Sequence, residues 1–404
     1  MVTKTLKLTN DTEVFEKINP DTPRVALCFN MRGEDLEKSA GLMTLATRLM
    51  MQGTNTRSAE ELATELDNNA IDLSVEARPD YLRVKFVCLN EDFEKGLSIL
   101  SDIVTNSTFE DFDKERAKLE GELVAELDSP RVKVSDNYYG TMFKNHPYGH
   151  TNTKILENLP NITRQDVISG YTSLLQNSKK VISVVGDIDF DRTESLLNKY
   201  LGELPKSVEI KTSSEKLVID KPEYAEIIKS DANQAHIIKG WIVDSSDKED
   251  YAPLLLLNVM LGASGLSSRL FLELREKKGL AYVVRSSYET FAQAADFFIY
   301  IATEPKNIEV SLEGFKEEID KIKSIPVSSK ELENAKNNLF GKWAFSLETN
   351  NNQAVSHASA AILGLGFDFN EKIREKVRAV SVEQIQECAN KYFTQNSVLS
   401  ILKP

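Results

Sequence analysis

The alternation of apolar and polar residues predicts that strands and helices occur in both halves of the chain. Short apolar or alternating runs predict strands, and runs with an apolar residue every three or four positions predict helices. In the first half this gives strands at Val25–Met31, Ile71–Glu76, Leu82–Leu89 and Val181–Val185, and helices at about 36–52, 58–68, 92–104 and 111–127. In the second half it gives strands at Ala235–Val243, Ala281–Tyr288 and Phe297–Thr303. Paired strands followed by paired helices favour an α+β sandwich over a regular βαβ arrangement.

The two halves also resemble each other in sequence. Residues 162–187 and residues 380–404 each begin with a capping-box pattern, continue as an amphipathic helix, and end in an apolar run after Gln-Asn-Ser. They lie about 217 residues apart, and a second matching pair, which starts at Phe109 and Val327, keeps nearly the same offset. This spacing indicates duplication of a whole domain. We therefore predict domains at 1–207 and 221–404, joined by a polar linker at 208–220.

Composition narrows the class of protein. With 404 residues, 41% of them hydrophobic, the chain has enough apolar material for more than one core. The sequence has no long apolar run and no apolar segment typical of a signal peptide, so we expect no membrane span and a cytoplasmic location, or a periplasmic one if a signal has been removed. The net charge of −13 disfavours nucleic-acid binding. Three dispersed cysteines, Cys28, Cys88 and Cys388, predict buried thiols rather than a disulfide framework or a cysteine zinc site.

One predicted helix has the spacing of a zinc motif without its ligands. Residues 41–54 read GLMTLATRLMMQGT. An inverted zinc-peptidase motif would place His, Glu and His at Thr44, Thr47 and Arg48, which share one helix face at i, i+3 and i+4. Threonine is a poor zinc ligand and arginine is a fixed cation, so these residues are not expected to hold the metal.

Several segments together resemble the M16 family of zinc metallopeptidases, the pitrilysin and insulinase group. In order along the chain they are GLMTLATRLMMQGTNTRSAEEL at 41–62, ERAKLEGELVAELDSP at 115–130 with FKNHPYGH at 143–150, VVGDID at 184–189, and LSSRLFLELREKKGLAYVVRSS at 266–287. The resemblance implies an α+β fold of two homologous M16-type domains, each an antiparallel-rich sheet packed with helices. It also implies that two such chains enclose a chamber in which peptides are degraded.

The same resemblance identifies the residues that a zinc site would use. Active members carry His-x-x-Glu-His and a distant Glu, which corresponds here to Glu122, with a supporting carboxylate at Glu115. Since Thr44, Thr47 and Arg48 replace the motif, we expect no zinc on this chain and an ion pair between Arg48 and Glu122 or Glu115. The alternative for the two glutamates is a solvated helix face, because the segment around them is rich in charge.

A second group of family residues is retained. An Arg and a Tyr seven residues apart contact the substrate in the family, and they match Arg275 and Tyr282. The resemblance therefore implies a catalytically incompetent subunit of a heterodimeric zinc peptidase, which supplies these two side chains to peptides held by a partner with His-x-x-Glu-His. In isolation the chain is a possible homodimer. The alternatives for the two residues are a surface arginine and a core tyrosine.

Other interpretations stay open at this point. The chain is also compatible with a structural or scaffold subunit that has no proteolytic role, and with a self-contained metallopeptidase whose site is unrecognised. His146 and His150 are four residues apart, but Pro147 and Gly149 between them break helix geometry. His236 is expected in a strand and His357 is a candidate for the chamber wall. Ser267 and Ser268 lie near Arg275 in the sequence, but they lack the pattern of a serine nucleophile.

Overall fold

Two β-sheets organise the chain in the computed structural model, which describes residues 2–34, 39–210 and 217–404. The strands of the first sheet are β1 Thr3–Lys7, β2 Glu13–Ile18, β3 Arg24–Arg32, β4 Asp72–Ala77, β5 Leu82–Leu89 and β6 Lys179–Gly186. The strands of the second sheet are β7 Glu223–Ile228, β8 Ala235–Val243, β9 Ala281–Thr290, β10 Ala295–Thr303 and β11 Val398–Lys403. Every predicted strand is present, and the α+β class is confirmed.

Helices account for most of the remaining described residues. The α-helices are α1 Leu42–Met50, α2 Ala59–Asn68, α3 Phe93–Asn106, α4 Phe112–Asp128, α5 Pro130–Met142, α6 Asn152–Asn158, α7 Arg164–Gln176, α8 Phe190–Leu201, α9 Tyr251–Asn258, α10 Ile308–Ser324, α11 Ser329–Ser346, α12 Asn350–Ile362, α13 Phe369–Ala379 and α14 Val382–Tyr392. Two segments, Val259–Ala263 and Phe271–Lys277, are π-helical. The helix predicted at 36–52 corresponds to α1, which is shorter and begins only at Leu42. Residues 36–38 of the prediction lie outside the described ranges.

The two sheets repeat one topology. The first has the order β1-β2-β6-β3-β5-β4 and the second β7-β11-β8-β10-β9, so the second lacks only a counterpart of β1. Each contains a single parallel pair at the equivalent place, β2 with β6 and β7 with β11, while the other pairs are antiparallel. The equivalent strands β4 and β9 form one edge of their sheets. This match agrees with the duplication that the sequence indicates.

Residue contacts divide the chain into two compact units, each built from separated stretches. The first contains residues 1–122, 154–212 and 345–370, and the second contains residues 123–153, 213–344 and 371–404. Within the first unit, α12 packs on β3 and β6, and within the second, α5 packs on β11 and β8. Each sheet is therefore covered by a helix that comes from the other half of the sequence. Of the predicted linker at 208–220, residues 211–216 lie outside the described ranges.

The predicted capping boxes begin their helices as expected. Thr163 accepts a hydrogen bond from the backbone N–H of Asp166 at the start of α7, and the Asp166 carboxylate accepts from the N–H of Thr163. Ser381 and Gln384 make the same reciprocal pair at the start of α14. These bonds satisfy backbone donors that have no partner inside the helix, which explains why both helices begin where the sequence places them.

The cysteines and the helices also bear on the predictions from composition. Cys28, Cys88 and Cys388 are free and buried, as predicted. Burial raises the pKa of the Cys28 and Cys88 thiols to about 12, so neither is a reactive thiolate at neutral pH. In the part of the chain that the structure describes, no helix combines the length and the apolar character needed to cross a membrane.

A buried carboxyl group lies in the first sheet, at Glu16 of β2. Its side chain is fully buried, and neither of its oxygens has a hydrogen-bond partner among the described residues. Burial raises the pKa of Glu16 from 4.5 to about 7, and the nearby carboxylates of Glu194, Asp191 and Asp189 act in the same direction against Lys4. The group is therefore protonated in the folded protein at pH values at which it ionises in the unfolded chain.

This difference predicts a pH dependence of stability. Between pH 4.5 and about 7 the folded state holds a proton that the unfolded state releases, so the free energy of unfolding falls as pH rises. Relative to a Glu16→Gln variant, which cannot ionise, the wild type should lose on the order of 3 kcal/mol across this window. Urea denaturation of both proteins at several pH values measures the difference. A constant difference between the two proteins from pH 4 to pH 8 would contradict the assignment.

Candidate functional site

The helix with the zinc-motif spacing is α1, which lies in the first unit. It starts after Gly41, whose φ of +89° is unfavourable for a residue with a side chain, and a Cβ atom there would lie 2.7 Å from the side chain of Ile155. Leu45 and Leu49 are fully buried and fix the helix against the core. Thr44 and Arg48 are therefore held on the partly exposed side of α1, whereas Thr47 is buried.

Arg48 forms ion pairs with Glu122 and Glu115, the two carboxylates that match the zinc-site glutamates of the family. Its Nη1 and Nη2 atoms donate to the two carboxylate oxygens of Glu122 at 2.8 and 2.9 Å, which is the bidentate geometry typical of arginine with a carboxylate. Its Nε atom lies 3.3 Å from Glu115 Oε2. Both glutamates come from α4, and they lie two turns apart on that helix. The structure therefore contains the ion pairs that the sequence predicted for Arg48.

Burial differs among the three charged groups. The Glu115 side chain is 4% exposed, that of Arg48 is 24% exposed and that of Glu122 is 55% exposed. Glu115 also accepts from Lys118 Nζ at 2.6 Å. The hydrogen bond from Arg48 holds the pKa of Glu122 below its usual 4.5. Because this pKa is lowered by folding, the pair stabilises the protein above the unfolded pKa, and that contribution is lost as pH falls through the folded value.

These residues do not fit a zinc ion. Catalytic zinc needs three protein ligands and an open position, and this helix pair offers carboxylates alone. The Thr47 hydroxyl donates to the Thr44 carbonyl at 3.0 Å, so it closes a bond within its own helix. The guanidinium of Arg48 lies against both carboxylates and repels a metal cation. No group of three or more His, Cys, Asp or Glu side chains in the described ranges is arranged to hold a metal ion.

Removing the arginine should destabilise the first unit. Arg48→Met leaves the buried Glu115 carboxylate with Lys118 alone, so we expect the free energy of unfolding to fall by about 2 kcal/mol. The matched control is Arg116→Met on α4, whose partner Asp113 is 87% exposed, and its loss should be below about 0.5 kcal/mol. Chemical denaturation measures both, and equal losses would show that the Arg48 cluster adds no more than a surface ion pair.

The second predicted group, Arg275 and Tyr282, lies in the second unit around a tight turn. Arg275 belongs to the π-helical segment Phe271–Lys277, and such segments often occur at functional sites. The chain then turns through Gly279, which has a φ of +61°, and enters β9 at Ala281. The backbone N–H groups of Gly279 and Leu280 donate to the carbonyls of Arg275 and Leu274, which closes the turn.

The turn brings the Arg275 side chain against Tyr282. Arg275 Nη1 donates to the Tyr282 carbonyl at 2.8 Å, and the guanidinium carbon lies 4.6 Å from the centre of the Tyr282 ring. The ring of Phe271 lies 4.7 Å from the same carbon. Both distances are within the range of cation–π contacts, so two aromatic rings position the guanidinium. The turn therefore brings the predicted pair into direct contact.

The register of β9 presents Tyr282 to solvent. Ala302 of β10 pairs with Val283 and Thr303 pairs with Ala281, so Tyr282 is the extra residue of a β-bulge. Bulges next to functional sites redirect a side chain. The Tyr282 side chain is exposed on 77% of its surface, in contrast to the core position that was the alternative. Since β9 is an edge strand, its outer side is also unpaired within the sheet.

The remaining candidates from the sequence have structural partners. His146 Nδ1 accepts from the N–H of Tyr148, and His236 Nδ1 lies 2.9 Å from the Tyr300 hydroxyl. His357 is 5% exposed and its Nδ1 lies 2.8 Å from the Phe367 carbonyl. The expectation that His357 lines a chamber is therefore wrong, because its ring packs on that of Phe15 in β2, with 4.3 Å between the ring centres, and is buried there. Ser268 donates to the Gly265 carbonyl, in keeping with the rejection of a serine nucleophile.

Two family profiles match consecutive regions of this chain. The profile of "Insulinase (Peptidase family M16)" matches residues 21–154, and that of "Peptidase M16 inactive domain" matches residues 161–339. This chain belongs to the M16 peptidase family. The Arg48 cluster lies in the region matched by the first profile, and Arg275 and Tyr282 lie in the region matched by the inactive-domain profile.

Two bacterial relatives align with most of this chain. The "Uncharacterized zinc protease YmxG" of Bacillus subtilis is 28% identical over 370 residues, which is 90% of this chain and 88% of that protein. An uncharacterized zinc protease of Mycobacterium leprae is 25% identical over 372 residues, which is 90% of this chain and 83% of that protein.

Solved structures share the fold. A protease from Helicobacter pylori has a TM-score of 0.91 at 20% identity, with full coverage of both chains. A peptidase M16 inactive domain from Pseudomonas fluorescens has a TM-score of 0.88 at 20% identity, with coverage of 100% of this chain and 98% of that one. The predicted M16 fold is thus confirmed.

Two features of the turn at Arg275 and Tyr282 were not predicted from the sequence. Phe271 contacts Arg275 four residues later, a spacing that a helix brings together, but Phe112 and Arg116 have the same spacing and the pattern alone does not mark a site. The bulge at Tyr282 depends on the register between β9 and β10, which no local pattern specifies.

Proposed function

We propose that this chain is the zinc-free subunit of a two-chain M16 peptidase and that it supplies Arg275 and Tyr282 to peptides cleaved at a partner's zinc site. The observation that carries this proposal is the contrast between the two candidate groups. Arg48, which stands where active members of the family carry a zinc ligand, makes a bidentate ion pair, whereas Arg275 contacts Tyr282 and Tyr282 is exposed. The contact between Arg275 and Tyr282 therefore favours a retained role in substrate binding over the loss of all function.

The chemistry of the exposed pair suits recognition of a peptide bond. Stacking uses the face of the Arg275 guanidinium and leaves edge N–H groups to donate to a peptide carbonyl. A Tyr282 hydroxyl in solvent is free to donate to the oxygen on which negative charge develops when that carbonyl is attacked. These roles bind and orient the substrate. The attacking water would be activated on the partner, because Thr44, Thr47 and Arg48 of this chain do not fit zinc.

The partner in this proposal is an M16 homologue that carries His-x-x-Glu-His. Peptides are the substrate class, since the resemblance and the relatives named as zinc proteases point to proteolysis. In the absence of that partner, the proposal is also compatible with a homodimer of this chain. The edge of β9 offers unpaired backbone groups beside Tyr282, which suits an extended peptide.

Reconstitution tests the proposal. The chain alone, a zinc-bearing M16 homologue from the same organism alone, and their mixture are each assayed with a quenched fluorescent peptide. We expect cleavage by the mixture and little cleavage by either chain alone. A homologue that cleaves equally well without this chain would contradict the proposal and favour the scaffold interpretation. Stoichiometric zinc and cleavage in the isolated chain would favour a self-contained metallopeptidase instead.

A further inference from the structure

A second group of arginines lies in the second unit, around Tyr300 rather than around the turn that holds Arg275. Arg131 and Arg285 lie over the ring of Tyr300, with their guanidinium carbons 5.9 and 5.8 Å from its centre. Tyr300 belongs to β10, Arg285 is its direct neighbour on β9, and Arg131 lies in the first turn of α5. Two cations from separate elements therefore meet at one aromatic side chain.

Tyr300 is a fixed platform for these cations. It is only 4% exposed, and its hydroxyl is hydrogen bonded to His236 Nδ1 of β8 at 2.9 Å. Burial, with Arg131 nearby, lowers the pKa of His236, which keeps the imidazole neutral at pH 7. Because each guanidinium carries five N–H donors and the contact with the ring uses none of them in a hydrogen bond, donors of both arginines remain available to a planar anion.

The two arginines also lack carboxylate partners. Neither forms an ion pair in the described part of the chain, although the protein has 62 acidic residues against 49 Lys and Arg. Arg48, Arg57 and Arg269, by contrast, are each paired with a carboxylate.

The nearest acidic residues along the same elements are engaged elsewhere. Asp128, just before α5, accepts from Lys229 at 3.0 Å, and Glu289 of β9 accepts from the Ser287 hydroxyl at 2.7 Å. The hydrogen-bond partners of these two carboxylates are therefore other than Arg131 and Arg285.

The position of Arg131 adds to this imbalance. The N-terminus of α5 carries the positive end of the helix dipole, where a cation is unfavourable and an anion is stabilised. The first turn of α5 contains no acidic residue, and Ser129 makes no side-chain capping bond. A bound anion would satisfy two guanidinium groups and the helix end together.

We propose that Arg131 and Arg285, which lie over the ring of Tyr300, form a binding site for the carboxylate of a peptide. That the carboxylate is carried by a peptide rests on the proposed function. The bearer is either an acidic side chain or the C-terminus, which present the same chemistry. The site makes the chain selective for peptides with such a group, and it uses side chains other than Arg275 and Tyr282.

Direct binding tests this site in the full-length chain. Three unlabelled peptides that differ only at the C-terminus and at one side chain are titrated by isothermal titration calorimetry: one with a free C-terminus and Gln, one with an amidated C-terminus and Glu, and one neutral at both positions. We expect at least one carboxylate peptide to bind about tenfold more tightly than the neutral one. The net charge of −13 opposes non-specific binding of acidic peptides, so preference for them requires a local site.

Variants assign the preference to the two arginines. Arg131→Gln with Arg285→Gln should bring the carboxylate peptides to the affinity of the neutral one. The control Arg78→Gln with Arg192→Gln removes the same charge at two other exposed arginines and should change affinity less than about twofold. Both target arginines are exposed, and circular dichroism checks that the double variant is folded. Equal affinity for all three peptides, or an equal loss in the control, would overturn the site.

The result is separable from the test of the proposed function. A chain that prefers carboxylate peptides through Arg131 and Arg285 but never supports cleavage would contradict the zinc-free subunit role and leave the binding site in place. A chain that supports cleavage without this preference would overturn the site alone.

Discussion

A reconstituted pair in which this chain carries Tyr282→Phe should turn over peptide about 100-fold more slowly than the wild-type pair, because one donor to the developing negative charge is lost. The Phe ring keeps the stack on Arg275 and the bulge of β9, so substrate affinity should change little. The expected signature is therefore a lower kcat with a KM within about threefold of wild type, as for an interaction made in the transition state.

The matched control for this prediction is Tyr224→Phe. Tyr224 is also an exposed strand tyrosine, with 58% of its surface accessible, but it lies on β7 at the opposite edge of the sheet. Its removal should leave kcat within about twofold. Analytical ultracentrifugation of both mixtures establishes equal assembly. A Tyr282→Phe pair as fast as the control pair would exclude the hydroxyl from the reaction.

Rebuilding the zinc motif should convert α1 into a metal site. The triple variant Thr44→His, Thr47→Glu, Arg48→His places two imidazoles at i and i+4 on the exposed side of α1 and removes the guanidinium that holds Glu122. Two histidines and a glutamate make the three-ligand set of a catalytic zinc site. We expect about one zinc per chain by plasma emission spectrometry after dialysis, against less than about 0.1 for wild type.

Two further variants show whether this zinc binds as intended. Adding Glu122→Ala to the triple variant should remove most of the bound zinc, because the third ligand is lost. Thr44→His with Thr47→Glu should bind none while Arg48 remains paired with Glu122. A folded triple variant without zinc would show that α1 and α4 do not have the geometry of an emptied metal site.

Much of the fold follows from local patterns in the sequence. The capping boxes at Thr163 and Ser381 mark helix starts, and the apolar runs of β3, β5, β6, β8 and β10 predict strands at nearly the observed positions. Local sequence patterns do not predict which helix packs on which sheet. That α5 covers the second sheet and α12 the first depends on packing between residues hundreds of positions apart, and the same packing buries His357.

Some contacts of the candidate site were also predictable from the sequence, and others were not. The Arg48 ion pairs were predictable, because two buried or half-buried carboxylates on α4 require a cation once zinc is absent, and Arg48 replaces a ligand. The stack of Phe271, Arg275 and Tyr282 was not, since it needs a π-helical segment and a β-bulge that relate residues through backbone geometry rather than spacing. The site at Tyr300 combines three strands and α5, and no motif marks it.

The measurement that tests the central claim most directly is the cleavage rate of pairs assembled with the double variant Arg275→Met, Tyr282→Phe. The claim is that this chain donates these side chains to a reaction whose metal belongs to its partner. At equal amounts of assembled pair, the account predicts that the variant pair cleaves at least about 1,000-fold more slowly than the wild-type pair. Cleavage by the variant pair within about threefold of wild type would contradict it.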